Sequence, residues 1–167
     1  MAFVNVYFSL GSNLGNRQEN IAGALRRMDE VFGKHFTALS KLIETEPMGF
    51  SGGKFLNAVV LYRLPVGEYV EQPEGHALWI LDRVKEIELE MGRKDAPEYD
   101  SEGRRIYHSR VIDIDVLFYG SEIIDIPRLT IPHKGIADRP FVLFPLYEIA
   151  RPSLKKAFPE YFNLTLL

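Results

Sequence analysis

The chain has 167 residues, a formal net charge of −3 and no cysteine. The missing cysteines exclude disulfides, thiolate metal sites and thiol nucleophiles, and they suit a reducing compartment. The acidic balance, with an isoelectric point near 5.8, argues against a general binder of nucleic acid or membrane surfaces, whose affinity would depend on a basic field.

The N-terminal residues predict a strand, a turn and a helix. Residues 3–10 alternate well enough for a strand, and residues 11–16 form a cluster of turn-forming residues. Asn16 is a favourable N-cap for a helix that ends near Gly33. The apolar side chains of that helix recur on one face, at Ile21, Leu25, Met28 and Phe32. The turn has neither of the glycine spacings that bind nucleotide phosphates, so we interpret it as structural.

Two further strands and a second helix are predicted in the middle of the chain. Residues 36–45 and 55–64 have strand composition, and residues 46–53 between them contain three glycines and a proline. We expect this connection to be mobile and to carry function. Residues 76–91 place apolar side chains at helical spacing and predict the second helix.

The last strand of the predicted sheet carries two carboxylates. Residues 110–120 combine β-branched and aromatic side chains and end on a glycine. Because successive side chains of a strand alternate between faces, Asp113 and Asp115 point the same way. The opposite face is the one to bury, with Ile112, Ile114, Val116 and Phe118. Residues 94–109, just before this strand, are polar and aperiodic, which indicates either disorder or a lid that orders on a ligand.

A short helix punctuated by prolines is predicted at residues 139–149. The order strand, helix, strand, strand, helix, strand is typical of an α+β fold, the ferredoxin-like βαββαβ sandwich, here with additional C-terminal elements. This fold hosts unrelated activities, so the function must be argued from the site.

The paired aspartates indicate either a cation site or a solvated edge strand. Two like charges side by side cost stability unless a positive group lies between them, and Mg²⁺ is the simplest such group for hard oxygen ligands. From these residues alone both interpretations stay open. Further cations occur at Arg93, Arg110, His133, Lys134 and Arg139. In an acidic protein this set is the arrangement expected for a polyphosphate, and it suggests nucleotide-dependent transfer.

Six short motifs occur in the order that is typical of one family. They are Ser-Leu-Gly-Ser-Asn-Leu-Gly-Asn at 9–16, Phe-Leu-Asn-Ala at 55–58, Glu-Leu-Glu-Met-Gly-Arg at 88–93, Arg-Val-Ile-Asp-Ile-Asp at 110–115, Leu-Thr-Ile-Pro-His at 129–133 and Arg-Pro-Phe at 139–141. Through them the chain resembles 6-hydroxymethyl-7,8-dihydropterin pyrophosphokinase of folate biosynthesis, from about residue 6 to residue 152. Several motifs in the right order are far more specific than any one of them.

The resemblance implies an enzyme that transfers pyrophosphate from Mg-ATP to the hydroxymethyl group of the pterin and releases AMP. The implied catalytic residues are Arg93, Arg110, Asp113 and Asp115, with Asp113 and Asp115 also holding two Mg²⁺ ions. ATP is the co-substrate, and its implied contacts are Lys85, Glu88, Arg93, Arg110, Val116, Thr130, His133, Lys134 and Arg139. The implied pterin contacts are Thr45, Glu46, Met48, Phe55, Asn57, Tyr107 and Phe141, with the pterin stacked between the two phenylalanine rings.

The chain departs from the family pattern at several of these positions. The family commonly has a hydroxyl-bearing aromatic at position 55, where this chain has Phe55, so the stacking is kept and a hydrogen bond is in doubt. Tyr107 stands where a tryptophan is common and would replace it as a lid aromatic. Lys85 replaces a glutamine and Lys134 an aromatic, which puts adenine and ribose contacts there in doubt. The loop residue that reaches ATP is left open among Lys94, Arg104 and Arg105.

Two rival functions belong to other classes. A non-catalytic nucleotide-sensing module on the same fold would bind ATP without releasing AMP. A ferredoxin-like RNA binder would need a basic surface, which the composition disfavours. We expect a single pyrophosphokinase domain over residues 1–167, with small-molecule partners only, no nucleic acid, no membrane, and a monomeric state. We expect a cytoplasmic location, because the N-terminus lacks a charged region followed by an apolar run.

Overall fold

A computed structural model describes residues 2–46, 52–92, 98–106 and 110–163. Four helices lie in these residues, α1 Arg17–Phe32, α2 Pro73–Glu90, α3 Pro140–Ile149 and α4 Pro152–Ala157. The strands of the central sheet are β1 Phe3–Ser12, β2 Ala38–Leu39, β3 Ile43–Thr45, β4 Phe55–Pro65 and β7 Asp113–Tyr119. Two small hairpins pair β5 Glu98–Tyr99 with β6 Arg105–Ile106, and β8 Ile124–Ile126 with β9 Leu129–Ile131. In the described residues, no helix combines the length and apolar character needed to cross a membrane.

The central sheet is antiparallel throughout and has the order β2-β4-β1-β7, with β3 also paired to β4. This is the strand order of a ferredoxin-like βαββαβ unit, in which β2 and β3 together take the place of the second strand. The predicted fold is therefore confirmed, including the additional C-terminal elements.

Each face of the sheet has its own core. On one face, α1 and α2 pack through residues such as Leu25 and Ile80 against Phe8 and Tyr62 of the strands. On the other face, α3 and α4 cover only part of the sheet, where Val142 and Leu146 belong to the cluster that surrounds Phe118 and Tyr7. The rest of this second face is left for the site described below.

The first helix begins and ends where the sequence predicts. Asn16 accepts a hydrogen bond from the backbone N–H of Glu19 (3.1 Å), and Gly33 takes a left-handed conformation with φ of 71°. The second helix starts earlier than predicted, at Pro73, because proline at the first helical position needs no hydrogen-bond partner for its nitrogen.

The strand predicted at residues 36–45 is divided into β2 and β3. Ser40 lies between them, and its hydroxyl accepts the backbone N–H of Val59 (2.9 Å) while donating to the carbonyl of Lys41 (2.9 Å). The side chain thus takes the place of a backbone partner, and the regular ladder with β4 is interrupted there.

The prediction that Phe118 shares a face with Ile112, Ile114 and Val116 is wrong. Phe8 pairs with Val116 and Tyr7 pairs with Phe118, so Leu117 is an extra residue without a register partner. This β-bulge reverses the alternation, and Phe118 belongs to the second core while the other three belong to the first.

Disorder, one of the two alternatives for residues 94–109, is wrong for the part that the structure describes. Strands β5 and β6 pair as a hairpin, and the side chain of Asp100 accepts the backbone N–H groups of Glu102 and Arg104 (both 2.9 Å). An aspartate that caps its own turn in this way stabilises the hairpin locally. Lys94 and residues 107–109 lie outside the described residues.

Candidate active site

The uncovered part of the second sheet face carries two rows of polar residues. Across β4, β1 and β7, Gly11 lies between Asn57 and Asp113, and Ser9 lies next to Asp115. Both aspartate side chains are half-buried, whereas Ile114 between them is fully buried on the opposite face. The two carboxylates therefore share one face, as the alternation predicts.

Asp115 lies among cationic side chains. Its Oδ1 is 3.8 Å from Nε2 of His133, and its Oδ2 is 3.6 Å from Nη1 of Arg139. Burial, and after it the carboxylate of Asp113, raise the pKa of Asp115 to about 7, while Arg139 and Lys85 oppose the shift. Among the described residues, the nearby cations thus only partly offset the burial of Asp115 and its repulsion by Asp113.

His133 is oriented by its own loop. Its Nδ1 accepts the backbone N–H of Gly135 (3.1 Å), and its backbone N–H donates to the carbonyl of Leu117 on β7 (3.0 Å). Burial lowers the pKa of His133, and Arg139 lowers it further, so the ring is neutral at pH 7. With Nδ1 accepting, the ring proton lies on Nε2, which faces Asp115.

Glu88 is buried behind β7, with 1% of its surface exposed. Its Oε2 accepts the backbone N–H of Ile114 (2.8 Å), and its Oε1 lies 3.2 Å from Nζ of Lys85. The carboxylate therefore holds both the peptide between the two aspartates and the lysine that points toward them.

A groove of about 220 Å³ lies along the outer edge of β7. It is lined by several of the residues that the resemblance assigns to ATP, namely Lys85, Val116, Thr130, His133 and Lys134, together with Asp115. Of these, Val116 belongs to the hydrophobic core, and Lys134 is exposed. The structure thus brings most of the predicted ATP contacts together.

Three of the residues assigned to the pterin, Thr45, Phe55 and Asn57, lie together where β3 pairs with β4. Asn57 donates from Nδ2 to Oγ1 of Thr45 (2.7 Å), and Phe55 is the partner of Thr45 across the β3 and β4 pair. A Cβ at Gly11 would lie 3.1 Å from Oδ1 of Asn57 and 3.4 Å from the Phe55 ring, so glycine keeps the space above it open.

Two other predicted pterin contacts have different surroundings. Glu46 is exposed and lies 3.5 Å from Nζ of Lys54. Phe141 is half-buried at the start of α3 and packs against the second core. Its apolar packing is the ordinary environment of a core phenylalanine, and one part of its ring surface remains exposed.

Asn13 was not assigned a role by sequence reasoning. It is buried after β1, donates from Nδ2 to the carbonyl of Gly53 (3.1 Å) and accepts the backbone N–H of Arg110 on Oδ1 (2.6 Å). Its own N–H donates to the carbonyl of Arg110 (3.0 Å). One side chain therefore ties together the two connections that lead to the site. Its position in the glycine-rich turn was the only available signal.

Comparison with known proteins identifies the family. The family model described as 7,8-dihydro-6-hydroxymethylpterin-pyrophosphokinase (HPPK) matches residues 7–151. The chain belongs to the HPPK family. This confirms the resemblance found in the motifs, and it agrees with the fold.

Curated relatives support the same HPPK membership. A protein of Porphyromonas gingivalis named 2-amino-4-hydroxy-6-hydroxymethyldihydropteridine pyrophosphokinase is 40% identical over 147 residues, 87% of this chain and 90% of the relative. The protein of the same name from Haemophilus influenzae is 33% identical over 88% of this chain and 82% of the relative. A folate synthesis bifunctional protein of Arabidopsis thaliana is 40% identical over 88% of this chain, but the chain spans only 27% of its length.

The acidic pair fits the Mg²⁺ that HPPK membership implies. Within the described residues no three His, Asp or Glu side chains converge as a closed metal cage. A closed cage is not what Mg²⁺ with a nucleotide needs, because this ion uses one or two carboxylates and completes its shell with water and phosphate oxygens. The two carboxylates on one open face, with the pKa of Asp115 raised by burial and by Asp113, match that requirement.

Three residues assigned from the resemblance, Arg93, Met48 and Tyr107, lie outside the described residues. Arg110 is described and half-buried, and its backbone is fixed by Asn13 next to the start of β7.

Proposed function

We propose that this chain catalyses transfer of the pyrophosphoryl group of ATP to 6-hydroxymethyl-7,8-dihydropterin, with release of AMP, in folate synthesis. The observation that carries this proposal is the adjacency of the acidic pair of β7 to the Asn57 and Gly11 row on one open sheet face. A nucleotide phosphate chain bound at the acidic pair and a flat polar ring bound at the Asn57 and Gly11 row would meet above the sheet. The family membership and the names of the relatives support the same reaction.

On the phosphate side, Asp113 and Asp115 would hold two Mg²⁺ ions. When bound, these ions would neutralise the triphosphate and align it for in-line attack. His133 and Arg139 lie against Asp115 and would donate to phosphate oxygens from one side. Arg110, together with Arg93, would stabilise the charge that develops at the β-phosphorus.

The remaining ATP contacts would come from the groove along β7. Lys85 and Lys134 would contribute charge at its two walls, and Val116 and Thr130 would contribute apolar and hydroxyl surface. We propose that Glu88 acts on ATP indirectly, since it is buried, accepts the backbone N–H of Ile114 and pairs with Lys85.

On the pterin side, Phe55 and Phe141 would stack on the two faces of the ring. Thr45 and Asn57, which already share a hydrogen bond, would read the polar edge of the ring, with Glu46, Met48 and Tyr107 completing the pocket. In the reaction the hydroxymethyl oxygen gives up its proton to water and forms a bond to the β-phosphorus, the bond from that phosphorus to the α-β bridging oxygen breaks, and AMP takes that oxygen away. Catalysis would then depend on alignment and charge neutralisation.

Organisation and location belong to the same proposal. We propose that residues 1–167 act as a single pyrophosphokinase domain, as a monomer with small-molecule partners, in the cytoplasm. The absence of cysteine suits that reducing compartment. Gel filtration of the purified chain with light scattering tests the monomeric state directly.

One assay separates the proposed reaction from a nucleotide-sensing module. Purified protein is mixed with Mg-ATP with and without the pterin, and AMP is measured by chromatography. We expect AMP only when the pterin is present, and Asp113→Asn and Asp115→Asn to lower turnover by at least about a hundredfold. Binding of ATP without pterin-dependent AMP would favour the sensing module and reject the enzyme.

A further inference from the structure

Arg17 bridges the two strand ends that carry the pterin-side residues. From the first position of α1 its Nη2 donates to Oε2 of Glu44 (2.7 Å), and its Nη1 donates to the backbone carbonyl of Lys54 (2.8 Å). Glu44 directly precedes Thr45, and Lys54 directly precedes Phe55. One guanidinium therefore ties a residue near the end of β3 to the residue just before β4.

This contact differs from the other ion pairs of the same helix. Arg26 and Glu19 form a pair within α1 whose side chains are 64% and 63% exposed, and such pairs contribute little. Arg17 is 31% exposed, reaches residues 27 and 37 positions away, and uses one of its two bonds on a backbone carbonyl. A planar, two-pronged donor suits this task, whereas lysine offers a single point of charge.

The neighbouring contacts hold the same corner. Asn13 donates to the carbonyl of Gly53, next to the carbonyl that Arg17 holds. Lys54 also faces Glu44, since its Nζ lies 3.9 Å from Oε1 of Glu44 and 3.5 Å from Oε1 of Glu46. Glu44 is thus shared between two cations, and the hydrogen bond from Arg17 is the shorter contact.

We propose that Arg17 is a positioning residue that fixes the ends of β3 and β4 at Thr45 and Phe55 and so determines how tightly the pterin is held. This inference rests on the proposed function of the site. The expected effect is limited to the pterin side. The phosphate side is built on β7, α2 and the segment from His133 to Arg139, and the hydrogen bonds of Arg17 reach none of them. Loss of Arg17 should therefore weaken pterin binding and leave ATP binding unchanged.

The experiment compares Arg17→Met with Arg26→Met, an exposed arginine on the same helix. We expect Arg17→Met to raise the pterin KM by about fivefold or more, while the ATP KM stays within about twofold of wild type. Arg26→Met should change neither constant. The pterin Kd, measured by fluorescence with a non-hydrolysable ATP analogue present, should rise by the same factor.

A double-mutant cycle tests the bridge itself. The effects of Arg17→Met and Glu44→Gln on the pterin KM should not add up in the double variant, because each single change already removes the shared contact. Because the pair is partly exposed, 0.5 M salt should raise the wild-type pterin KM toward that of the variants.

The inference is overturned if folded Arg17→Met, with the wild-type melting temperature, keeps the wild-type pterin KM and Kd, or if its ATP and pterin constants rise together. A wild-type chain that makes no AMP with the pterin would reject the proposed function instead, so the two failures are distinguishable.

Discussion

The carboxylate of Glu88 accepts the backbone N–H of Ile114, the residue that separates Asp113 from Asp115, at 2.8 Å. Among the described strands β7 lies at the edge of the central sheet, so this N–H faces away from β1 and meets no strand there. A helix side chain thus replaces the missing strand at the point where the two aspartates are presented. The same carboxylate holds Lys85 at 3.2 Å.

Removing this carboxylate should destabilise the fold. Glu88→Ala leaves the N–H of Ile114 buried without an acceptor, and we expect a loss of about 1 to 3 kcal/mol in the free energy of unfolding. Glu88→Gln keeps an acceptor oxygen and should lose less. Urea denaturation measures both variants, with Glu86→Gln as an exposed control on α2 that should change stability by less than about 0.5 kcal/mol. An alanine variant as stable as wild type would contradict the prediction.

The metal-free protein should become less stable as the pH rises, in a way that depends on Asp115. Its pKa is raised from 3.8 to about 7 in the fold, so the ionised form is disfavoured there and stability is lost as the pH rises from about 4 through 7. Asp115→Asn removes this cost. We expect the variant to match wild type near pH 4 and to exceed it by about 2 to 4 kcal/mol at pH 8 without Mg²⁺.

Urea denaturation at the two pH values, with and without Mg²⁺, measures this difference. Mg²⁺ should stabilise wild type at pH 8 and leave Asp115→Asn unchanged. The exposed Asp125→Asn on β8 is the control. A stability difference that is independent of pH would show that the charge of Asp115 is not its cause.

Gly135 makes room for the guanidinium of Arg139. A Cβ at position 135 would lie 2.9 Å from both Cζ and Nε of Arg139, so Gly135→Ala must push that group away from Asp115. The backbone itself is unstrained, with φ of −89°, so the fold should persist. We expect the ATP Kd to rise by roughly three- to tenfold and the pterin Kd to stay constant.

Calorimetric titration with an ATP analogue and Mg²⁺ checks this expectation. Gly75→Ala is the matched control, because a Cβ there meets its nearest atoms at 3.6 Å. Equal ATP affinity in the Gly135 and Gly75 variants would mean that the glycine at position 135 does not determine where the Arg139 guanidinium lies.

Gly23 offers a stability change that is separate from the site. It is buried in the middle of α1, and a Cβ there would meet its nearest atoms, all on side chains, at 3.5 to 3.7 Å, which is ordinary contact. Gly23→Ala should therefore stabilise the protein by about 0.5 to 1 kcal/mol, because alanine loses less backbone freedom on folding. Thermal unfolding should show a higher midpoint with unchanged activity. A lower midpoint would reveal a clash.

Much of the fold follows from local pattern. The ends of α1 were predictable because Asn16 and Gly33 act on residues a few positions away. Strands β1 and β4 were predictable because their composition needs no knowledge of their partners. The shared face of Asp113 and Asp115 follows from alternation alone, since the bulge lies beyond them.

The remaining features depend on contacts between distant residues. Glu88 lies 26 positions from the N–H that it accepts, and Asn13 lies 97 positions from Arg110. Neither side chain differs in type from ordinary polar residues of a helix face or a turn. The interruption at Ser40 and the bulge at Leu117 likewise arise from pairing with neighbouring strands, which one sequence does not specify.

The extra residue at Leu117 interrupts the alternation of side chains between the two faces of the sheet, so the pattern differs before and after it in β7. A relative without this extra residue would return to plain alternation, with the counterparts of Val116 and Phe118 adjacent in its sequence and still on opposite faces. Deleting Leu117 should therefore leave Phe118 paired with Tyr7 and on its present face, because the deletion removes only the residue that has no register partner. Comparisons of related sequences that ignore this offset would match residues from opposite sides of the sheet.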